Sequence, residues 1–298
     1  MLRFLRRLFI GTLVVAFLLA LGGGGLVAAV LLKPWRWPRQ YRDQTPATLQ
    51  INSEDVVVDT PDGVMLSGWW ALHPDAHGRT VILCHAFGAD RRQVLPYFHF
   101  LFMAGFNVLA FDWRNHGQSP GRVTTYGLDE RQDLLGAFAF LANRADLHDA
   151  RVAVMGLSFG ASMALLAAPD ADAPRALVLD SPYADLYQIV RERVRAGYRL
   201  PEFPWVPLGM FLAEFIGGFN HHQVRPLLYA DRVTTPALFI AGQQDRETPP
   251  SHTLALFRRV KGPKELWLVP RTGHLAAYQN QPQRYEDTVV DFLKRNLG

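Results

Sequence analysis

Arg151-Val152-Ala153-Val154-Met155-Gly156-Leu157-Ser158-Phe159-Gly160 is the stretch that decides the fold. Its first five residues form a short, mostly apolar run, as expected of a strand buried on both faces of a parallel sheet. Ala161–Ala168, rich in alanine and leucine, reads as a helix. Between strand and helix stands Gly-x-Ser-x-Gly. A serine on so sharp a turn points its hydroxyl out of the end of the sheet, and the flanking glycines leave room where side chains would collide. The Phe159 N–H falls at a helix amino terminus, where donors lack intrahelical acceptors and can face a developing negative charge. Ser158 is therefore the candidate nucleophile and Phe159 a candidate amide donor.

Working outward, apolar runs recur at Thr80–Cys84, Asn107–Phe111, Ala176–Leu179, Ala237–Ala241 and Glu265–Val269. Most are separated by helical patterns, the clearest being Leu128–Asn143 with Leu134, Leu135, Phe138 and Leu141 at three- and four-residue spacing. Asp55–Asp59 and Val64–Leu72 flank Pro61-Asp62-Gly63 and predict a β-hairpin. Alternating strands and helices predict an α/β fold, a mostly parallel sheet with helices on both faces. One segment interrupts the alternation. Residues of about 184–229 carry Pro201, Pro204, Pro207 and Pro226 among Phe203, Trp205, Met210, Phe211, Phe215, Ile216 and Phe219. So long an apolar insert predicts a lid over a site, with an extra helical cover for the sheet as the alternative.

A serine hydroxyl needs a base, and the base needs an orienting acid. His274, in Thr272-Gly273-His274 after the last strand run, is the candidate base. Asp245, in Gly242-Gln243-Gln244-Asp245 after the preceding strand, is the candidate acid, and Asp180 at the end of an earlier strand is its competitor. The order Ser158, Asp245, His274 suits a serine–acid–histidine constellation on such a sheet.

On these motifs the chain resembles the α/β-hydrolase superfamily, and is similar to its bacterial membrane-tethered branch near the serine aminopeptidases and monoacylglycerol lipases. Further matches are His85-Ala86-Phe87-Gly88 and Asp112-Trp113-Arg114-Asn115-His116-Gly117-Gln118-Ser119. The resemblance implies an α/β-hydrolase fold from about residue 55 to the end. It also implies that the loop after the third strand supplies a second oxyanion amide, which by position is Phe87. Ala86 stands where that family usually has glycine. Arg114 is expected to tie loops together, and His85 and His116 to be structural. His73/His77 and the pair His221-His222 have no accompanying carboxylate cluster and read as solvated histidines rather than metal ligands. The implied activity is cofactor-independent hydrolysis of small-molecule carboxylic esters, with acyl or other hydrophobic groups favoured by the apolar insert. Amide or peptide cleavage and acyl transfer use the same machinery, and a non-catalytic tethered binding protein is the reading from another class.

The amino terminus carries a separate message. Leu8–Leu32 is 25 residues without a charge, long enough to span a bilayer core. Arg3, Arg6 and Arg7 precede it, and Lys33, Trp35, Arg36, Trp37 and Arg39 follow, an aromatic and basic mixture suited to a membrane interface. The reading is an uncleaved single span in residues 1–33, a tether in 34–54 and the hydrolase body in 55–298 on the non-cytoplasmic side. A cleaved signal peptide, with Val27-Ala28-Ala29 as cleavage context, is the alternative. Because all chemistry lies after Ala86, a chain beginning near Thr45 is expected to keep its activity on soluble esters.

Charge excludes one class of partner. The formal charge is +4, yet seven of the 31 basic residues lie in the first 42 positions, where there is no acid. The remaining 24 face 27 acids, so the body is mildly acidic and has no footprint for nucleic acid. Cys84 is the only cysteine, which rules out an intramolecular disulfide and a cysteine-based zinc site. No protein partner can be inferred from the sequence.

Overall fold

A computed structural model describes residues 11–12, 20–33, 43–147, 149–169, 174–197 and 201–298. Residues 20–32 form helix α1. Strands β1 (Glu54–Asp59), β2 (Met65–Ala71) and β3 (Arg79–Cys84) lead to α2 (Leu95–Met103) and β4 (Asn107–Phe111). There follow α3 (Glu130–Ala142), β5 (Arg151–Leu157), α4 (Phe159–Ala167) and β6 (Ala176–Asp180). The insert holds α5 (Leu186–Gly197), α6 (Trp205–Gly217) and α7 (Pro226–Tyr229). The chain closes with β7 (Ala237–Gly242), α8 (Pro250–Arg259), β8 (Lys264–Val269), α9 (Ala277–Asn280) and α10 (Pro282–Leu297).

All eight strands join one sheet in the order β1-β2-β4-β3-β5-β6-β7-β8. The hairpin expected around Pro61-Asp62-Gly63 is present, with Val57 opposite Ser67, and its second strand runs antiparallel to β4. From β4 to β8 every pairing is parallel. These inner strands are apolar along both faces because helices cover both: β4, β5 beyond Arg151, β6 and β7 are buried along their length. One face packs under α2 and α10 through Phe98, Phe106, Tyr285 and Phe292, the other under α3, α4 and the insert through Phe111, Trp113, Phe159 and Phe239. The strand order reverses direction about β3, whose neighbours are β4 and β5. Such a switch point opens a crevice at the carboxyl ends of the strands, where ligands of open α/β sheets bind.

The span expected over Leu8–Leu32 falls partly on residues 8–10 and 13–19, which lie outside the described residues. Among the described residues, no helix is long and apolar enough to cross a membrane. The part that is described, α1, packs on the protein: Ala28, Leu31 and Leu32 are buried in the core beneath the insert.

Candidate active site

Ser158 sits between β5 and α4 with φ 51° and ψ −107°, a left-handed backbone that a side chain adopts only under constraint. Sequence explains the constraint. A Cβ on Gly156 would lie 2.4 Å from the Ala161 nitrogen, and one on Gly160 would lie 2.3 Å from the Cys84 carbonyl oxygen. Only glycine on both sides lets β5 turn directly into α4 and lets α4 settle against β3. The Ser158 amide donates to the Asp180 carbonyl at 2.7 Å, pinning the turn to β6. Phe159 begins α4, so its N–H is among the first-turn donors without an intrahelical acceptor.

The three polar residues expected from the sequence meet at the carboxyl ends of β5, β7 and β8. His274 Nδ1 lies 2.7 Å from Asp245 Oδ2, and His274 Nε2 lies 3.0 Å from Ser158 Oγ. A carboxylate only accepts, so Nδ1 carries the proton and Nε2 is free to accept from the serine hydroxyl. The other Asp245 oxygen accepts from the Glu247 and Thr248 amides at 2.9 and 2.8 Å. Its loop is bound to the histidine loop by Gln244 N–H on the Thr272 carbonyl at 2.8 Å. Gly242 permits that approach, since a Cβ there would stand 2.4 Å from the same oxygen.

Asp180, the competing acid, points elsewhere. Its carboxyl accepts from the Tyr285 hydroxyl at 2.8 Å and the Ser181 hydroxyl at 2.9 Å. Burial pushes its pKa up to about 6, against the lowering effect of the Tyr285 hydrogen bond.

The second amide donor proposed from the sequence, Phe87, follows β3. Ala86 keeps an ordinary backbone, and the left-handed position of this turn is Gly88 at φ 78°. The turn is held by Ala86 N–H on Gln93 Oε1 at 2.8 Å and by His85. That ring donates from Nδ1 to the Ala86 carbonyl at 2.8 Å and accepts the Trp113 N–H on Nε2 at 3.1 Å. His85 is fully buried, which lowers its pKa to about 4, and burial lowers that of His116 to about 3. Both histidines thus brace loops as neutral rings. Arg114 does tie loops together: its guanidinium contacts Asp133 at 2.7 Å and Asp62 at 2.7 and 2.9 Å. His221 contacts Glu214 at 2.6 Å and lies 3.9 Å, ring to ring, from His222.

Sequence reasoning passed over two groups here. Ser162, fully buried one turn into α4, donates to the Tyr183 carbonyl at 3.0 Å and accepts its N–H at 2.9 Å, fixing the loop after β6. Tyr126, from a loop without any motif, lays its ring against Phe87 at 5.6 Å and against Phe159 at 5.8 Å.

Comparison with known proteins agrees with this architecture. Residues 81–288 match the model of the alpha/beta hydrolase family. The uncharacterized Bacillus subtilis protein YqkD is 32% identical over 82% of this chain and 80% of its own. Among solved structures, the Pyrococcus furiosus esterase Pf2001 superposes with a TM-score of 0.72 at 29% identity, covering 88% of this chain and 99% of that one. Est1E of Butyrivibrio proteoclasticus, solved with ferulic acid bound, shares the fold at a TM-score of 0.62 and 19% identity, over 81% and 98% of the two chains.

Proposed function

The chain belongs to the α/β-hydrolase family, and we propose that it is a serine hydrolase of carboxylic esters, working through an acyl-enzyme on Ser158. The observation that carries this reading is the unbroken Asp245–His274–Ser158 hydrogen-bond line of 2.7 and 3.0 Å. Likeness to a P. furiosus esterase supports ester over other acyl substrates.

In this reading His274 Nε2 takes the hydroxyl proton as Ser158 Oγ bonds to the ester carbonyl carbon. The carbonyl π pair moves onto oxygen, where the Phe159 and Phe87 amides receive it. Asp245 holds the imidazole in the tautomer that can accept and then steadies the imidazolium. The proton passes to the leaving alcohol as the C–O bond breaks. Water, activated by the same histidine, then releases the acid. In this reading the apolar Leu8–Leu32 run stays the membrane anchor, with Ala28, Leu31 and Leu32 at its end seated in the body and the body on the non-cytoplasmic side. Exposed Phe203, Phe211, Phe215 and Ile216 on the insert favour an acyl or otherwise apolar substrate.

A panel of p-nitrophenyl esters, monoacylglycerols and aminoacyl amides tests the substrate class. Turnover of the esters, abolished in Ser158→Ala, is expected. Cleavage of the amides with inert esters would move the enzyme to the peptidases.

A further inference from the structure

A helix leaves its last carbonyls without intrahelical partners, so something else must satisfy them if they are covered. At the end of α1 the partners come from the loops beside the active site. Leu32 O accepts the Thr124 N–H at 3.0 Å and the Asn115 side-chain amide at 2.9 Å. Leu31 O accepts the Tyr126 hydroxyl at 2.9 Å. Thr124 and Tyr126 are buried, so in the intact protein their hydrogen-bond partners are these α1 carbonyls rather than bulk water.

From the opposite side the same loop is gripped by the fully buried Glu130. Its carboxylate accepts Thr125 N–H and Gly127 N–H at 2.9 and 2.8 Å, and the Thr125 hydroxyl at 2.9 Å. Between the two grips Tyr126 is held at φ 56°, a left-handed conformation unfavourable for an aromatic residue. That twist sends its ring into the wall of the site. It stacks on Phe87 at an interplanar angle of 22° and meets Phe159 edge-on at 83°, while Phe87 and Phe159 themselves touch at 5.8 Å. The two rings it supports belong to Phe87 and Phe159, the two residues to which the hydrolase reading gives the oxyanion amides.

The other flank of α1 joins the insert through small residues. Added Cβ atoms on Gly23 and Gly24 would strike Trp205 and Leu208 at 2.3 and 2.7 Å, and on Gly209 and Gly217 would strike Val27 and Leu32 at 2.5 and 2.8 Å. Small residues at a helix–helix contact let the two backbones approach closely. α1 therefore touches α6 on one side and the loop behind the oxyanion site on the other.

We propose that the carboxyl end of α1 is a working part of the active site, with Tyr126 as the positioning residue. By accepting from Tyr126, Leu31 fixes the Phe87–Phe159 wall and so the two oxyanion amides; the proposed anchor, insert and catalytic turn form one mechanical unit. This rests on the oxyanion assignment in the hydrolase reading. It predicts the opposite of the expectation that a chain beginning near Thr45 keeps its activity on soluble esters.

The test uses full-length protein in detergent, a short water-soluble ester, and a trifluoromethyl ketone as oxyanion probe. Ser158 Oγ adds to the ketone carbon, its proton passes to His274, and the carbonyl pair becomes an alkoxide in the oxyanion site. Tyr126→Phe keeps the ring and removes only the hydroxyl. Its kcat should fall between about threefold and tenfold, the range of one lost hydrogen bond, with KM within about twofold. Affinity for the ketone should fall by the same factor as kcat. A chain starting at Thr45 should show at least that loss, and adding Tyr126→Phe to it should cost nothing more. If the shortened chain does not fold, the full-length variant decides alone. Unchanged kcat and ketone affinity in Tyr126→Phe, or a rise in KM alone, would overturn the inference. Absence of ester turnover in the wild type would instead remove the hydrolase reading, and this inference with it.

Discussion

Replacing Asp245 by asparagine should disable the enzyme through one proton in the wrong place. Asp245 Oδ1 accepts two backbone amides, from Glu247 and Thr248, while Oδ2 faces His274 Nδ1 at 2.7 Å. An asparagine must keep its carbonyl oxygen at the first position or leave two donors unmet. Its NH₂ then faces His274, and Nδ1 becomes the acceptor. The imidazole proton moves to Nε2, 3.0 Å from Ser158 Oγ, where it blocks uptake of the hydroxyl proton. The wrong tautomer costs about 10⁴ in rate in serine proteases, or about 5 kcal/mol of activation free energy. Asp180→Asn should differ sharply. Its carboxyl contacts the Tyr285 and Ser181 hydroxyls, and a neutral amide oxygen can still accept from Tyr285, so the loss should stay within about tenfold. The assay is kcat/KM for p-nitrophenyl butyrate at pH 7.5, with thermal unfolding to check that both variants fold. A larger loss at Asp180 than at Asp245 would refute the tautomer argument and move the acid to β6.

Gly160→Ala should destabilise the protein by about 1–3 kcal/mol and lower ester turnover, because its methyl group meets the Cys84 carbonyl at 2.3 Å; urea unfolding at wild-type stability would contradict this. His116, with its folded pKa near 3, contributes stability that is complete above about pH 6.5 and is lost as pH falls from there toward about 3, because in that window only the unfolded chain takes up the proton. His116→Gln should therefore flatten the decline of unfolding free energy between pH 6 and 4.5 by about 1.4 kcal/mol per pH unit, read from urea curves, and equal slopes would count against a buried neutral ring. If Leu8–Leu32 anchors the chain, full-length protein should remain in the membrane pellet after carbonate and high-salt washes. Release by salt would reduce the attachment to its basic residues, and a mature chain beginning near Val30 would mark a signal peptide instead.

What was legible in the sequence is what local backbone physics controls. The Gly156-x-Ser158-x-Gly160 turn announces itself because no other residues fit between Cys84 and Ala161. Strand positions were close: Asn107–Phe111 is β4 to the residue, and Ala176–Leu179 falls one short of β6. Asp245 and His274 could be placed because both follow parallel strands, whose carboxyl ends share one rim. Other features depend on contacts between distant segments and leave no local trace. The position of β4 between β2 and β3 is one. The inward-facing Glu130 and Asp133 on α3 are another, since charged residues in a helical pattern read as solvated until their partners, the 125–127 loop and Arg114, are seen. Tyr126 was invisible for the same reason, its partner lying 95 positions earlier at Leu31. The apolar Leu8–Leu32 run has a composition that suits lipid, yet the same glycines and leucines of α1 also pack against α6.

The central claim is that Ser158 is the nucleophile, and fluorophosphonate labelling followed by mass spectrometry tests it most directly. Displacement of fluoride by Ser158 Oγ should leave one phosphonyl group per chain. Trypsin should place that mass on the peptide Val152–Arg175, which holds both Ser158 and Ser162. Fragmentation should assign it to Ser158, and His274→Ala should slow labelling by orders of magnitude. A folded, full-length protein that stays unlabelled, or that carries the group on Ser162 or another residue, would contradict the account.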